Sequence, residues 1–128
     1  MEAVLLAGGF GTRLRPLTYT RPKPLLPILN KPMIQRFIEQ LPEEVNKIII
    51  PLNYLREMVE NFFETVDLKK EIIITEEKEP LGTGGAVKNV DKYISSSFLV
   101  LNVDVISSIP LSDFIKFHRA KKGIGTIS

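Results

Sequence analysis

An α/β fold, in which a mostly parallel sheet is covered by helices on both faces, is predicted by two features of this 128-residue sequence. Short aliphatic runs alternate along the chain with segments whose apolar residues repeat at helical spacing. Glycine-rich segments also follow two of the aliphatic runs, where a strand turns into the next element. Because strand–helix–strand connections are right-handed, the strands pair in parallel and the helices cover both faces. Such an arrangement is a Rossmann-like three-layer sandwich.

The first half of the chain predicts two strands and two helices around a long loop. Five prolines between residues 16 and 32 remove backbone donors and forbid a continuous helix, so residues 8 to 32 are predicted to form one extended loop. The elements around it are a buried strand at Ala3–Ala7, a short helix at Met33–Leu41 with Asn30 as a candidate cap, a strand at Lys47–Ile50, and an amphipathic helix from about Leu55 to Thr65.

The second half of the chain continues the same alternation. Its predicted strands are Glu71–Thr75 and Phe98–Val103, and its predicted helices are Gly84–Tyr93 and Leu111–Lys122. Ile124 to Ser128 has the composition of a fifth strand that is just beginning, so the sheet is expected to be truncated there.

Composition limits the class of protein. Apolar residues make up 44% and charged residues 25% of the chain, as in ordinary globular domains, and the length suits a single domain over residues 1–128. No apolar run approaches the roughly 20 residues that span a bilayer. The first residues lack the positive region of a signal peptide, and the sequence has no cysteine. We therefore expect a cytoplasmic protein without a membrane partner.

Positive charge is concentrated near the N-terminus. No acidic residue lies between Glu2 and Glu39, whereas six Lys and Arg residues fall in that stretch. A local excess of this kind favours a polyanionic ligand. Nucleic acid is the less favoured ligand, because the stretch offers only Phe10, Tyr19 and Phe37 as stacking platforms. A bound phosphate chain fits better.

The segment LLAGGFGTRLRPLT, residues 5 to 18, is the first candidate binding loop. The dinucleotide fingerprint fails because Leu14 stands where the third glycine should be. The phosphate-loop motif also fails, because from Gly8 its second glycine and its lysine fall on Arg13 and Leu14. A turn that uses glycine only for its backbone freedom is the alternative.

Two further segments lie at strand ends, where open parallel sheets bind ligands. In EPLGTGGAV, residues 79 to 87, the backbone amides could approach a ligand, or Thr83 could simply cap a helix. In LNVDV, residues 101 to 105, Asp104 could hold Mg²⁺ if its strand lies beside the first one, or it could be a turn residue. His118, the sole histidine, is interpreted as a solvated surface residue among cationic neighbours.

Taken together, these segments resemble the sugar-phosphate nucleotidylyltransferases, which make nucleoside-diphosphate sugars. The matching motifs are AGGFGTRLRPLT, RPKPLLPI, NKPMI, EPLGTGGAV and, less closely, LNVDV. The resemblance covers essentially the whole chain and corresponds to the N-terminal, nucleotide-binding part of the family's catalytic domain. PLGTGG is most similar to members that transfer a guanylyl group to mannose- or heptose-type 1-phosphates.

The resemblance implies a reaction and a set of site residues. A sugar 1-phosphate oxygen attacks the α-phosphorus of a nucleoside triphosphate and expels pyrophosphate, with Mg²⁺ as cofactor and no covalent enzyme intermediate. Arg13 and Lys23 would bind the phosphates and serve as the catalytic cations, and Asp104 would bind Mg²⁺. Gly82 would lie against the base, and the residues implied to wrap the nucleotide are Leu6, Ala7, Gly8, Gly9, Gly11 and Thr12.

Two departures from the family pattern carry their own expectations. The family usually has Asn-Gly-Asp where this chain has Asn102-Val103-Asp104, so the valine is expected to crowd the ligand. The family's sugar-contacting residues and second metal-binding Asp lie beyond residue 128. The alternative hypothesis is therefore a nucleotide-binding or assembly module without turnover. The family also places a later strand beside the Phe98–Val103 strand, so we expect that edge to be exposed. Either the C-terminal residues fold back onto the edge or a second copy of the chain covers it, and we expect the second outcome, a homo-oligomer.

Overall fold

The structure is a computed structural model that describes residues 1–9, 11–53, 55–79, 81–105 and 108–128. In chain order its strands and helices are β1 (Glu2–Leu6), β2 (Pro27–Ile28), β3 (Lys31–Pro32), α1 (Met33–Glu39), β4 (Lys47–Leu52), α2 (Arg56–Glu64), β5 (Glu71–Glu76), α3 (Gly82–Asn89), β6 (Leu99–Asn102) and α4 (Leu111–Lys121). Single 3-10 turns occur at Thr12–Leu14, Lys23–Leu25 and Asp91–Tyr93.

Four strands form the main sheet, in the order β5-β4-β1-β6, and every pair is parallel. The chain moves outward from β1 through β4 to β5 and then crosses to the other side of β1 to form β6. The strand order therefore reverses beside β1, which is where open sheets of this kind bind ligands. Because Leu6 pairs with Asn102 and Leu52 with Glu76, all four strands end at one edge. We call this edge the carboxyl edge.

Helices cover both faces of the sheet, which confirms the three-layer α/β prediction. Successive residues of a strand point to opposite faces. On one face Ala3 and Leu5 pack in a cluster that includes Ile38 of α1, Val59 of α2 and Ile115 of α4. On the other face Val4 and Ile49 pack with Val90, which follows α3. The two clusters hold β1 and β4 between them and fix where these strands end.

The long proline-containing loop has more regular structure than the sequence predicts. Residues 8 to 32 were expected to form one extended loop, but they contain two 3-10 turns and the antiparallel β2–β3 hairpin. Proline excludes a long helix here, yet its fixed φ suits a single turn, as at Lys23–Leu25. Leu29 and Asn30 close the hairpin, both with positive φ. The loop is therefore held in a defined shape.

Two helix starts differ from the sequence prediction. Asn30 does not cap α1, because it lies in the hairpin turn and Pro32 stands at the N-cap position. α3 begins at Gly82, with Leu81 at its N-cap and no side-chain capping bond, so Thr83 is inside the helix and is not its cap. The helix ends at Asn89, and a separate 3-10 turn follows at Asp91–Tyr93.

The fifth strand predicted at Ile124–Ser128 is wrong. These residues form no strand, and Ile124 and Ile127 are almost fully exposed. A strand requires backbone partners, and β6 pairs only with β1 among the described residues. The side of β6 away from β1 is therefore an open edge.

No helix within the described ranges is long and apolar enough to cross a membrane.

Candidate nucleotide site

The glycine-rich loop leaves β1 at the carboxyl edge. Gly8 belongs to the face of the sheet that α3 covers, since it follows Val4 and Leu6 at even spacing. A Cβ at Gly8 would lie 3.2 Å from Oε2 of Glu77, 3.4 Å from the Pro51 carbonyl oxygen and 3.9 Å from Oδ1 of Asn53. The absence of a side chain therefore lets the backbone approach polar groups at the ends of β4 and β5.

Those polar groups form a small cluster, which we call the polar pocket: Asn53, Thr75 and Glu77. Glu77 is 6% exposed, and its backbone N–H donates to the Leu52 carbonyl at 2.8 Å, which places it beside Asn53. Oδ1 of Asn53, Oγ1 of Thr75 and Oε1 of Glu77 are all buried without a hydrogen-bond partner in the described structure. Buried polar atoms of this kind are rare in proteins unless a ligand or water pairs with them.

Burial also changes the acidity of Glu77. Removing the carboxyl group from water disfavours its charged form and raises the pKa of Glu77 above its ordinary value. A carboxylate held in this way gains from a ligand that brings hydrogen-bond donors, because the donors replace the lost hydration.

Sequence reasoning did not identify the polar pocket. Asn53 lies one residue beyond the end of β4, and Glu77 lies one residue beyond the end of β5. Because side chains alternate along a strand, both residues belong to the face of the sheet that α3 covers. Asn53 directly follows the apolar run of β4, and a polar residue at that point is a signal that could have found it. Glu77 follows Thr75 and Glu76, so the sequence gives no comparable signal for it.

Gly11 and Thr18 fix the shape of the loop. Gly11 has a φ of 61°, which disfavours any side chain, and a Cβ there would lie 2.7 Å from Cγ2 of Thr18. Thr18 is buried and donates a hydrogen bond from Oγ1 to the Gly11 carbonyl at 2.7 Å. Directly after Gly11, the Thr12–Leu14 turn presents Arg13. The Arg13 side chain is exposed and makes no hydrogen bond or ion pair within the described ranges.

Lys23 and Asp104 are brought into direct contact across 81 residues of sequence. Nζ of Lys23 lies 2.5 Å from Oδ2 of Asp104. Asp104 follows β6, which lies beside β1 as the magnesium prediction required. Two of the residues that the resemblance associates with phosphate and metal therefore meet at the carboxyl edge.

The Val103 side chain does not enter this site, and the effect of the Asn-Val-Asp segment on ligand fit and metal geometry stays a prediction. The side chain of Val103 is 3% exposed and packs in the cluster with α1, α2 and α4, on the face opposite the polar pocket. The valine thereby anchors the chain just before Asp104, and its backbone N–H donates to the Leu6 carbonyl at 3.4 Å.

Asp104 can serve as a single-carboxylate cation ligand. Mg²⁺ commonly takes one or two carboxylates and completes its shell with phosphate oxygens and water. Among the described residues no group of three or more His, Cys, Asp or Glu side chains could hold a metal. The ammonium of Lys23 already rests on the Asp104 carboxylate, which shows that this oxygen accepts a cation. The donor set fits a Mg²⁺ ion that is shared with phosphate.

The other predicted site residues are placed as follows. Leu6 ends β1, Ala7 packs against the main core cluster, and Gly9 is exposed in the loop with open space around it. Thr12 opens the turn that carries Arg13. Gly82 opens α3 with a φ of 67°, and α3 contacts β1. Phe10 of the loop and Pro80 of the EPLGTGGAV segment lie outside the described residues.

His118 takes no part in this edge. It is half-buried on α4, and its Nδ1 lies 2.9 Å from Oγ1 of Thr126. His118 is thus a partly covered surface residue, because this contact shields one side of the ring.

The fold and the carboxyl edge define an α/β protein with an open parallel sheet and a candidate ligand site where the strand order reverses. Comparison with known proteins identifies the family. The family model described as nucleotidyl transferase matches residues 2–128. The chain belongs to this nucleotidyl transferase family.

Several plant proteins match nearly the whole chain. Probable mannose-1-phosphate guanylyltransferase 2 of Oryza sativa subsp. japonica is 47% identical over 99% of this chain, and mannose-1-phosphate guanylyltransferase 1 of Arabidopsis thaliana is 46% identical over the same share. The chain spans 37% of the length of each.

Solved structures agree with the fold. The crystal structure of HddC from Yersinia pseudotuberculosis superposes with a TM-score of 0.81 and 37% identity, covering 91% of this chain and 53% of that chain. The same protein is also known in complex with GMP-PN, and that structure gives a TM-score of 0.80. A putative glucose-1-phosphate thymidylyltransferase from Bacillus anthracis, 22% identical with a TM-score of 0.83, shares the fold.

Proposed function

We propose that this chain binds GTP with Mg²⁺ at the carboxyl edge and supplies the nucleotide half of a guanylyl transfer to a mannose- or heptose-type 1-phosphate. The observation that carries the choice of base is the buried carboxylate of Glu77, whose Oε1 has no hydrogen-bond partner in the described structure and whose Oε2 would lie 3.2 Å from a Cβ at Gly8. Family membership and the guanylyltransferase names of the plant relatives support the reaction class.

The chemistry of Glu77 favours guanine over the other bases. An ionised carboxylate only accepts hydrogen bonds, and its two oxygens suit a pair of adjacent donors. The Watson–Crick edge of guanine presents such a pair, N1–H and the 2-amino group. Uracil and thymine present one N–H between two carbonyl acceptors, and adenine and cytosine each place a ring-nitrogen acceptor beside the amino group. Only guanine therefore offers donors to both oxygens without setting an acceptor against the carboxylate.

The phosphates are proposed to lie over the loop, along the cations that the sequence concentrates there. Arg13 has an uncommitted guanidinium, and Lys23 stands beside Asp104. In the transfer, a bond forms between the sugar 1-phosphate oxygen and the α-phosphorus, while the bond from that phosphorus to the bridging oxygen breaks and pyrophosphate leaves. Arg13 and Lys23 orient the triphosphate and neutralise its charge. When bound at Asp104, Mg²⁺ would add further neutralisation of phosphate charge.

Calorimetric titration of the chain with GTP, ATP and UTP, each with Mg²⁺, tests the proposed ligand. We expect GTP to bind at least tenfold more tightly than ATP or UTP, because either of the latter leaves Glu77 facing an acceptor or an unfilled space. Equal affinity for the three nucleotides would contradict the guanine assignment, and no binding of any of them would contradict the nucleotide site.

A second candidate function is nucleotide binding or assembly without turnover. It is favoured by one observation, that the residues identified at the carboxyl edge are assigned to the base, the phosphates and the metal, and none of them to the sugar. Pyrophosphate release from GTP, Mg²⁺ and mannose 1-phosphate separates the two: release above the rate of a Lys23→Ala control would support transfer by this chain itself. Release equal to that control, with GTP bound, would support the second function.

The location and assembly of the protein also belong to the proposal. A cytoplasmic location stays a prediction. Association into a homo-oligomer is proposed because β6 carries an open edge with Val100 half-exposed. Beside β6 and α4 runs a groove of about 1200 Å³ whose lining includes Leu101, Ile109 and Ile127. A second copy of the chain would cover this apolar groove.

A further inference from the structure

We propose that the ammonium group of Lys23 occupies the divalent-cation position on Asp104 in the ligand-free protein. Metal and triphosphate then displace the Lys23–Asp104 ion pair together. The coupling between the two ligands rests on the proposed function, whereas the competition between Lys23 and metal does not. The contact that carries the inference is the 2.5 Å approach of Nζ of Lys23 to Oδ2 of Asp104.

Both ends of this ion pair are anchored by the core. Lys23 lies in a 3-10 turn between Pro22 and Pro24, which are both buried, and Leu25 of the same turn belongs to the main core cluster. Asp104 follows Val103, which is buried on the sheet and bonded to β1. The positions of the two backbones are therefore set by packing. Their charged groups face each other before any ligand arrives.

The pair is nevertheless easy to separate. The side chains of Lys23 and Asp104 are 27% and 46% exposed, so water screens their attraction. Exposed pairs of this kind contribute little to stability. Lys23 is also the sole partner of the Asp104 carboxylate within the described ranges. A competing cation thus meets one ammonium group and no further obstacle on the protein.

Displacement of the Lys23–Asp104 ion pair by one ligand alone is less favourable than displacement by both ligands together. A divalent ion on Asp104 leaves Lys23 as a like charge a few ångströms away without a partner. A triphosphate alone attracts Lys23 and leaves Asp104 as a carboxylate beside phosphate oxygens. When both ligands bind, the ion takes the carboxylate and the phosphate takes the ammonium. Each ligand therefore raises the affinity for the other, and the coupling is reciprocal.

Titration of the nucleotide-free protein with Mn²⁺, followed by the electron paramagnetic resonance signal of the free ion, tests the competition directly. Lys23→Met keeps an aliphatic stem and removes the ammonium, so this variant should bind Mn²⁺ about two- to fivefold more tightly than the wild type. Arg21→Met is the matched control, because it removes an exposed cation of the same loop that does not contact Asp104. It should leave Mn²⁺ affinity nearly unchanged. Asp104→Asn should abolish the site.

A second titration measures the reciprocal effect with GTP in the presence of EDTA. Asp104→Asn frees Lys23 and should bind metal-free GTP more tightly than the wild type, and this gain should shrink when Lys23→Met is also present. The inference is overturned if Lys23→Met binds Mn²⁺ no more tightly than the wild type, or if Arg21→Met produces the same gain. Because the Mn²⁺ titration contains no nucleotide, a failure to bind GTP would contradict the proposed function and leave the competition standing.

Discussion

Glu77 illustrates, at the scale of one residue, how a binding group is kept at a cost in stability. Because burial raises the pKa of Glu77 in the folded chain above its unfolded value, its ionisation opposes folding once the pH passes the unfolded value. The stability associated with the protonated form is therefore present at acid pH and is lost as the pH rises through the folded pKa. A neutral side chain of the same shape avoids this loss.

We therefore expect Glu77→Gln to unfold at a higher urea concentration than the wild type at pH 7, because the amide carries no charge that burial would disfavour. The gain in stability should shrink as the pH falls below the ordinary glutamate pKa of about 4.3, because the carboxyl group then becomes protonated in both states. Glu79→Gln, an exposed neighbour, should change stability little at either pH. A Glu77→Gln variant that is less stable than the wild type at pH 7 would show that Glu77 already has a partner in the folded chain.

Arg13 offers a test of the phosphate site at the same scale. Its guanidinium is exposed and uncommitted, so Arg13→Ala should leave folding unchanged and weaken triphosphate binding by roughly 1.5–3 kcal/mol through loss of a charged hydrogen bond. Calorimetry with Mg²⁺-GTP measures this effect. Arg15→Ala is the control, because Arg15 stacks over the Tyr19 ring, with its Cζ 5.2 Å from the centroid. Equal losses in the two variants would indicate a general charge effect and no specific contact.

At the scale of elements, the glycine-rich loop depends on one glycine more than on the others. Gly11→Ala places a Cβ 2.7 Å from Thr18 at a positive φ, so we expect a loss of about 1–3 kcal/mol in stability together with weaker nucleotide binding. Gly9→Ala meets nothing within 4 Å and should have little effect on stability. Urea unfolding of both variants checks the contrast, and equal stabilities would mean that the loop does not need its observed conformation.

The open edge of β6 leads to a prediction about assembly. Light scattering at micromolar concentration should report a homo-oligomer, because an unpaired apolar strand edge recruits other strands. Val100→Lys adds a charge beside that edge and should shift the protein toward monomer without unfolding it, since Val100 is 41% exposed. A monodisperse, folded wild-type monomer would contradict the prediction.

Sequence patterns predicted which elements exist much better than where they start or what pairs with them. The aliphatic runs at Lys47–Ile50 and Glu71–Thr75 became β4 and β5, because three consecutive isoleucines in each run place apolar side chains on both faces of a sheet that helices cover. Ile124–Ser128 has strand composition but no backbone partner, and composition cannot supply one. The face toward which the Val103 side chain points could not be predicted, because it depends on the position of the residue along the strand, which a motif does not reveal.

At the scale of the whole molecule, the site is the place where segments distant in sequence meet at one edge of a sheet. The charge excess and the motifs identified Lys23 and Asp104 separately, and the parallel strand order brought them together. The polar pocket could not be predicted from motifs, because it depends on the ends of β4 and β5 lying beside Gly8. What distinguishes it is the combination of burial with missing partners, a property of the folded chain.

The central claim is that the buried carboxylate of Glu77 selects guanine as the base of the nucleotide. The most direct test compares the ratio of GTP affinity to UTP affinity in the wild type with the same ratio in Glu77→Gln. A glutamine amide offers one acceptor and one donor, which match N3–H and a carbonyl of uracil. We therefore predict that the preference for GTP over UTP in the wild type falls at least tenfold in Glu77→Gln, with the Glu79→Gln control retaining the wild-type ratio. An unchanged ratio in Glu77→Gln, with GTP still bound tightly, would contradict the claim.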